Sequence, residues 1–89
     1  MTGLISFIDG LDDNIVAVWE KGHEVAGQHA YLVRRDDLGN EIHRYDYGDS
    51  KSPFGWQIDR IVPKALGGGD AIANLRPLHC RVIAAADAA

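Results

Sequence analysis

The stretch Phe54-Gly55-Trp56-Gln57-Ile58-Asp59-Arg60-Ile61-Val62-Pro63-Lys64-Ala65-Leu66-Gly67-Gly68-Gly69-Asp70, closed by Asn74-Leu75-Arg76-Pro77-Leu78-His79, decides the fold. Trp56, Ile58 and Arg60 fall on one phase of an alternation, and Gln57, Asp59 and Ile61 on the other. That pattern predicts a strand over residues 56–62 that runs into a turn before Pro63. Gly67-Gly68-Gly69 predicts a mobile loop, and Asp70 is placed to cap a short turn over Ala71-Ile72-Ala73. Leu75-Arg76-Pro77 predicts a short second strand, and the alanine-rich residues 78–88 predict a helix. The order is strand, loop, short strand, helix.

Toward the amino terminus, Asp12-Asp13-Asn14 leads into Ile15-Val16-Ala17-Val18-Trp19-Glu20-Lys21-Gly22. An acidic first turn and a terminal glycine predict a short helix with a glycine stop. Residues 22–30 read as irregular. Tyr31-Leu32-Val33-Arg34-Arg35 reads as a strand, Asp36-Asp37-Leu38-Gly39-Asn40 as a turn, and Glu41-Ile42-His43-Arg44-Tyr45-Asp46-Tyr47 as the returning strand of a hairpin. Residues 48–53 read as a loop.

Eighty-nine residues, 46% of them hydrophobic and 25% charged, fit one small folded domain over residues 1–89. No apolar run approaches the roughly 20 residues that span a bilayer. Residues 1–9 lack the basic start of a secretory signal. The single Cys80 excludes an internal disulfide framework and a cysteine zinc cluster, so a reducing cytoplasm is the default location. The net charge of −4 argues against strong nonspecific DNA binding. It is unevenly spread. Residues 1–50 carry four basic against ten acidic side chains, whereas residues 51–89 carry Lys51, Arg60, Lys64, Arg76 and Arg81 against Asp59, Asp70 and Asp87.

The ordered set of letters resembles the HNH endonucleases, whose ββα-metal module cuts nucleic acid. Trp19-Glu20-Lys21-Gly22, Arg44, Tyr47-Gly48, Ser52-Pro53 and Phe54-Gly55-Trp56 resemble the segments that precede the core in a small bacterial subgroup. Ile58-Asp59, Ile61, Pro63, Gly67-Gly68, Asp70 and Asn74-Leu75-Arg76-Pro77-Leu78 are similar to the core itself. The likeness covers about residues 16–89, with the core at about 54–88. It implies an α+β fold: an amino-terminal helix and β-hairpin, then a degenerate ββα-metal core. Where the family writes Asp-His, this chain writes Asp59-Arg60. Where the family writes an aromatic, then Asn-Asn and a lysine, it has Cys80, Val82, Ile83 and Ala86.

The resemblance implies which letters carried chemistry. In the family the histidine beside the aspartate is the general base. The aspartate and a later Asn or His hold one divalent metal, and the middle Asn, here Asn74, orients the general-base loop. An arginine guanidinium has no acceptor lone pair, so Arg60 is no base. Ile83 has no donor atom, and Asp59 alone with waters would hold Mg²⁺ weakly. Asp59, Arg60, Asn74 and Ile83 thus read as a vestigial site, and no cofactor is expected. A further reading lets Arg60 supply the positive charge that a metal would have given to Asp59. Strand neighbours point to opposite faces, so that contact needs the backbone to turn before Pro63. An exposed loop arginine is the alternative.

His79 is the candidate replacement base or ligand, weighed against a surface or capping role. Together with Asp59 and Asn74 it defines the alternative, an active endonuclease with a rewired site that uses a divalent metal such as Mg²⁺, bound by Asp59 if by any residue. His43 reads as part of a sheet face in phase with Tyr45 and Tyr47. His23 and His29 lack a third ligand at useful spacing for zinc. Cys80 reads as a buried structural thiol, and Trp19, Phe54 and Trp56 read as core. Arg60, Lys64, Arg76 and Arg81 are the candidate phosphate contacts, weighed against solvated surface. The expected function is therefore an HNH-like protein that has lost cleavage. It would bind DNA or RNA through the carboxy-terminal half, or a protein through the acidic amino-terminal half, with no membrane involved.

Overall fold

The structure is a computed structural model, and it describes residues 11–88. Residues 1–9, read above for a secretory signal, lie outside the described residues. Helix α1 spans Asp13–Trp19. Asp12 starts it: its backbone is extended and its carboxylate accepts the Ile15 N–H at 2.9 Å, satisfying one of the helix's otherwise unpaired amides. The helix ends at Glu20, and Gly22 is not a left-handed stop. A Cβ at Gly22 would sit 3.1 Å from both the Arg34 Cβ and the Trp19 carbonyl, so glycine is there for close packing.

Strands β1 (His23–Glu24), β2 (Val33–Arg35) and β3 (Glu41–His43) form an antiparallel sheet in that order. Strand β1 falls where the sequence reads as irregular. It is two residues long and exposed, and pairing with β2, not hydrophobic alternation, makes it a strand. The hairpin is as expected, but its returning strand stops at His43, and Arg44–Asp46 form a 3₁₀ turn. Arg44 breaks the alternation because it is buried, its guanidinium lying 3.9 Å from the centre of the Tyr31 ring. His43, Tyr45 and Tyr47 therefore do not share one sheet face. His43 stacks on Phe54 at 3.9 Å, Tyr45 is exposed, and Tyr47 meets the edge of Trp56.

Strands β4 (Trp56–Arg60) and β5 (Leu75–His79) form a second antiparallel sheet, with Trp56 opposite His79 and Asp59 opposite Arg76. Strand β5 is longer than Leu75-Arg76-Pro77, and helix α2 starts two residues later than expected, spanning Cys80–Ala88. Pro77 is tolerated because a two-stranded sheet consists of edges. Among the described residues the result is a mixed α+β domain with two helices and two small antiparallel sheets. No helix among the described residues is long and apolar enough to cross a membrane.

Val18, Trp19, Ile42, Trp56 and Leu75 form the core, with Ile15, Tyr47, Ile58 and Ile72 packed against it. Asp36 joins the two sheets. It is buried, and its carboxylate accepts the N–H groups of Leu38 at 3.0 Å, Asn40 at 2.8 Å and His79 at 3.0 Å, together with the Asn40 side-chain amide. Burial pushes this carboxyl up, but the bonds from His79, Asn40 and Leu38 outweigh it and hold the group below its ordinary value of 3.8.

Asp36→Ala leaves those backbone amides without their acceptor and should cost roughly 3 kcal/mol, read as a lower urea midpoint. A loss under about 1 kcal/mol would show that water replaces the carboxylate. Because the folded carboxyl binds its proton less readily than the unfolded one, its stabilisation is present above pH 3.8 and is lost as pH falls through the lowered folded value. Asp36→Asn should flatten that part of the acid-unfolding curve.

Candidate functional site

The carboxy-terminal half of the domain is organised by the β4–β5 register. Trp56 is buried at the start of β4, and the strand carries Asp59 and Arg60 outward at its far end. As strand neighbours, the two side chains leave on opposite faces and find different partners. Asp59 meets the cross-strand Arg76, whose Nε donates to Oδ2 at 2.9 Å. Arg76 also reaches Asp37 at 3.6 Å, and Asp37 pairs with His23 Nε2 at 2.7 Å. Arg60 instead donates from Nε and Nη2 to Asp70 Oδ1, at 3.0 and 2.5 Å. The cation beside Asp59 is therefore Arg76, and of the two readings of Arg60 the contact with Asp59 is not made. Asp70, read as a turn cap, does not cap. The 3₁₀ turn Ile72–Asn74 has no side-chain cap, and Asp70 is the acid of the Arg60 pair.

Between β4 and β5 the chain makes a loop held at its base by Asn74. Its Oδ1 accepts the Val62 N–H at 2.8 Å, and its Nδ2 donates to the carbonyls of Val62 at 3.1 Å and Gly69 at 2.9 Å. Residues Lys64–Leu66 form a 3₁₀ turn that ends at Gly67, whose φ of 92° suits glycine. At Gly68 a Cβ would lie 1.7 Å from the Val62 carbonyl oxygen, so no other residue fits there. The glycines read as a mobile loop are instead part of a closed one.

His79 stands at the opposite end of the β4–β5 ladder from Asp59, three register steps away or about 10 Å along the strand. It is buried, and both ring nitrogens are engaged: Nδ1 accepts the Arg81 N–H at 3.0 Å, and Nε2 lies 2.7 Å from the Pro53 carbonyl. An accepting Nδ1 places the proton on Nε2, which donates to Pro53. His79 caps the start of α2, and the trio Asp59, Asn74 and His79 does not assemble.

Cys80, next to it, is buried, and burial followed by the nearby Asp49 charge pushes its thiol up, away from the reactive thiolate. Ile83 is half-buried on α2. Among the described residues no group of three His, Cys, Asp or Glu side chains gathers to hold a metal. One Asp59 oxygen is engaged by Arg76, and the Asn74 amide faces the loop backbone. This donor set does not fit a divalent cation.

The four candidate phosphate contacts separate into two kinds. Arg60 and Arg76 are each paired with carboxylates. Lys64, in the loop, and Arg81, on α2, are exposed and have no acidic partner among the described residues. Arg81 borders a cleft of about 200 Å³ together with Asn40, Glu41, Pro53, Phe54 and His79. Trp19 and Trp56 are core, as expected, with centroids 5.3 Å apart.

Sequence reasoning missed several organising residues. Asp36 carries a local turn signal, an aspartate three residues before Gly39, but nothing local points to its bond with His79. Lys21 donates to the carbonyls of Ile72 and Leu75. Arg34 donates to those of Ala30, Glu20 and Gly22. Neither set of contacts has a local sequence signal. No protein-family model, curated protein or solved structure matches the chain.

Asn74→Ala should cost about 1–2 kcal/mol and act locally. Amide exchange at Val62 should quicken at least tenfold, while tryptophan emission stays that of the packed core. Unchanged exchange at Val62 would mean that the loop closes without the amide clasp.

Proposed function

We propose that this chain is an HNH-like scaffold that no longer cuts nucleic acid and acts by binding a protein. The observation that carries the reading is the fate of the Asp59-Arg60 dipeptide. A general base must accept a proton and a metal ligand must offer a free lone pair. Arg60 offers no lone pair, and its guanidinium is engaged by Asp70. Asp59 is engaged by Arg76. Asn74 still braces the loop before β5, the part the resemblance assigns to it, but the loop carries an arginine where the base would stand.

Charge favours a protein over a nucleic acid. Duplex binding depends on cations free to displace counterions from phosphate. Of the four candidates, Arg60 and Arg76 already face carboxylates, and the chain carries −4 overall. Two remaining cations are few for a phosphate backbone. The rewired endonuclease is disfavoured by the separation of His79 from Asp59 and by its two engaged nitrogens.

Two assays test the reading. Supercoiled plasmid incubated with the protein and Mg²⁺, Mn²⁺ or Ni²⁺ should stay intact. Nicking that disappears in Asp59→Ala would overturn the loss of cleavage. Duplex DNA and single-stranded RNA should show no retardation at low salt. Retardation that weakens steeply with added salt and is lost in Lys64→Glu or Arg81→Glu would assign the binding to nucleic acid.

A further inference from the structure

The loop between β4 and β5 presents an unusual combination. Ile61, Val62 and Leu66 are 51%, 43% and 77% exposed, three large aliphatic side chains within six residues. A floppy loop could bury them by collapsing onto the domain. This one is held open by several constraints. Arg60 and Asp70 pair across its base. Asn74 clasps Val62 and Gly69. The Leu66 and Gly68 N–H groups donate to the Pro63 carbonyl at 2.9 and 3.0 Å. Gly68 packs where no side chain fits. Isolated exposed aliphatics are ordinary on a small protein, but a braced loop that carries three of them is a preformed apolar projection. Lys64 stands in the same turn, exposed and without an acidic partner among the described residues.

We infer that the loop Ile61–Leu66 is a docking element that inserts into an apolar groove edged by carboxylates on a partner protein. Charge complementarity selects the occupant. Ile61, Val62 and Leu66 supply apolar area, and Lys64 supplies the one uncompensated charge, which an acidic rim satisfies. Bracing lowers the ordering entropy lost on binding, which is where a short loop gains affinity. Arg60 acquires a role here: its pair with Asp70 closes the base of the loop and makes it a positioning residue for Ile61 and Val62. The inference deepens the protein-binding reading and rests on it.

The test uses a displayed library of small folded binding domains that vary a surface groove, selected on the full chain, because a folded domain offers the groove that a projecting loop enters. Enriched domains should carry grooves floored by large apolar residues and rimmed by Asp or Glu. On titration into isotope-labelled protein, they should shift amides of residues 60–70. Their affinity should fall at least tenfold for Leu66→Ser and for Lys64→Glu, both exposed positions whose substitution leaves the fold intact by circular dichroism. Arg60→Gln should weaken binding of domains with and without an acidic rim by the same factor, the readout of loop position rather than charge.

Domains that converge elsewhere, such as the Phe54–Arg81 cleft, or that bind Leu66→Ser as well as the original chain, overturn the inference. So does self-association by light scattering that Leu66→Ser abolishes, since the occupant is then a second copy. Loop-dependent binding to phosphatidylserine vesicles in place of folded domains also overturns it, by assigning the loop to a lipid surface. Plasmid nicking sinks the non-cleaving reading while leaving the loop result legible, so the two failures are distinguishable.

Discussion

The packed indoles of Trp19 and Trp56 are the contact on which the rest of this structure depends. Both side chains are fully buried, their rings 5.3 Å apart and tilted by 46°, with Tyr47 against the edge of Trp56. Replacing a buried tryptophan by alanine typically costs about 3–5 kcal/mol, a large share of the stability of so small a domain. Helix α1 has only seven residues and would not persist alone in water. It exists because Val18 and Trp19 pack against Trp56 and Leu75, and because Lys21 then reaches the carbonyls of Ile72 and Leu75. The amino-terminal segment and the β4–β5 sheet thus form one core.

That anchor sets where chemistry can occur. With Trp56 held inside, β4 delivers Asp59 and Arg60 to the surface three and four residues later, on opposite faces. Each finds its own counter-charge. Magnitudes say what these pairs are for. Partly exposed ion pairs contribute about 0–1 kcal/mol each, so neither Asp59–Arg76 nor Arg60–Asp70 holds the fold together. Their effect is directional. They fix two side chains and occupy one carboxylate oxygen of Asp59.

Legibility from sequence followed the range of the interaction. Trp56 to Arg60 was readable because alternation is a local signal, and the hairpin was readable because Asp36, Gly39 and Asn40 are turn residues. The α1 start was readable from Asp12. Strand β1 was not, because a two-residue exposed strand exists only by pairing with β2. The 3₁₀ turn after β3 was hidden because Arg44 counts as polar in any pattern, yet it lies buried against Tyr31. The three glycines signal freedom when read alone. Only the distant Asn74 amide and the Val62 carbonyl show that Gly68 serves close packing, while Gly67 supplies a positive φ. At the candidate site the residue types drew attention to Asp59, Arg60 and Asn74, but the pairing of Asp59 with Arg76 and of Arg60 with Asp70 depends on strand register and loop closure, which no local pattern shows.

The frame between β4 and β5 is made of backbone and amide bonds: Asn74 to Val62 and Gly69, Gly68 to Pro63, and the Asn74 carbonyl accepting the Ile61 N–H at 2.8 Å. None of these bonds involves the side chain at position 60. The Arg60–Asp70 pair adds a further tie across the frame. The same bonds hold the loop in the form that leaves Ile61, Val62 and Leu66 exposed, and the proposed docking draws on that order.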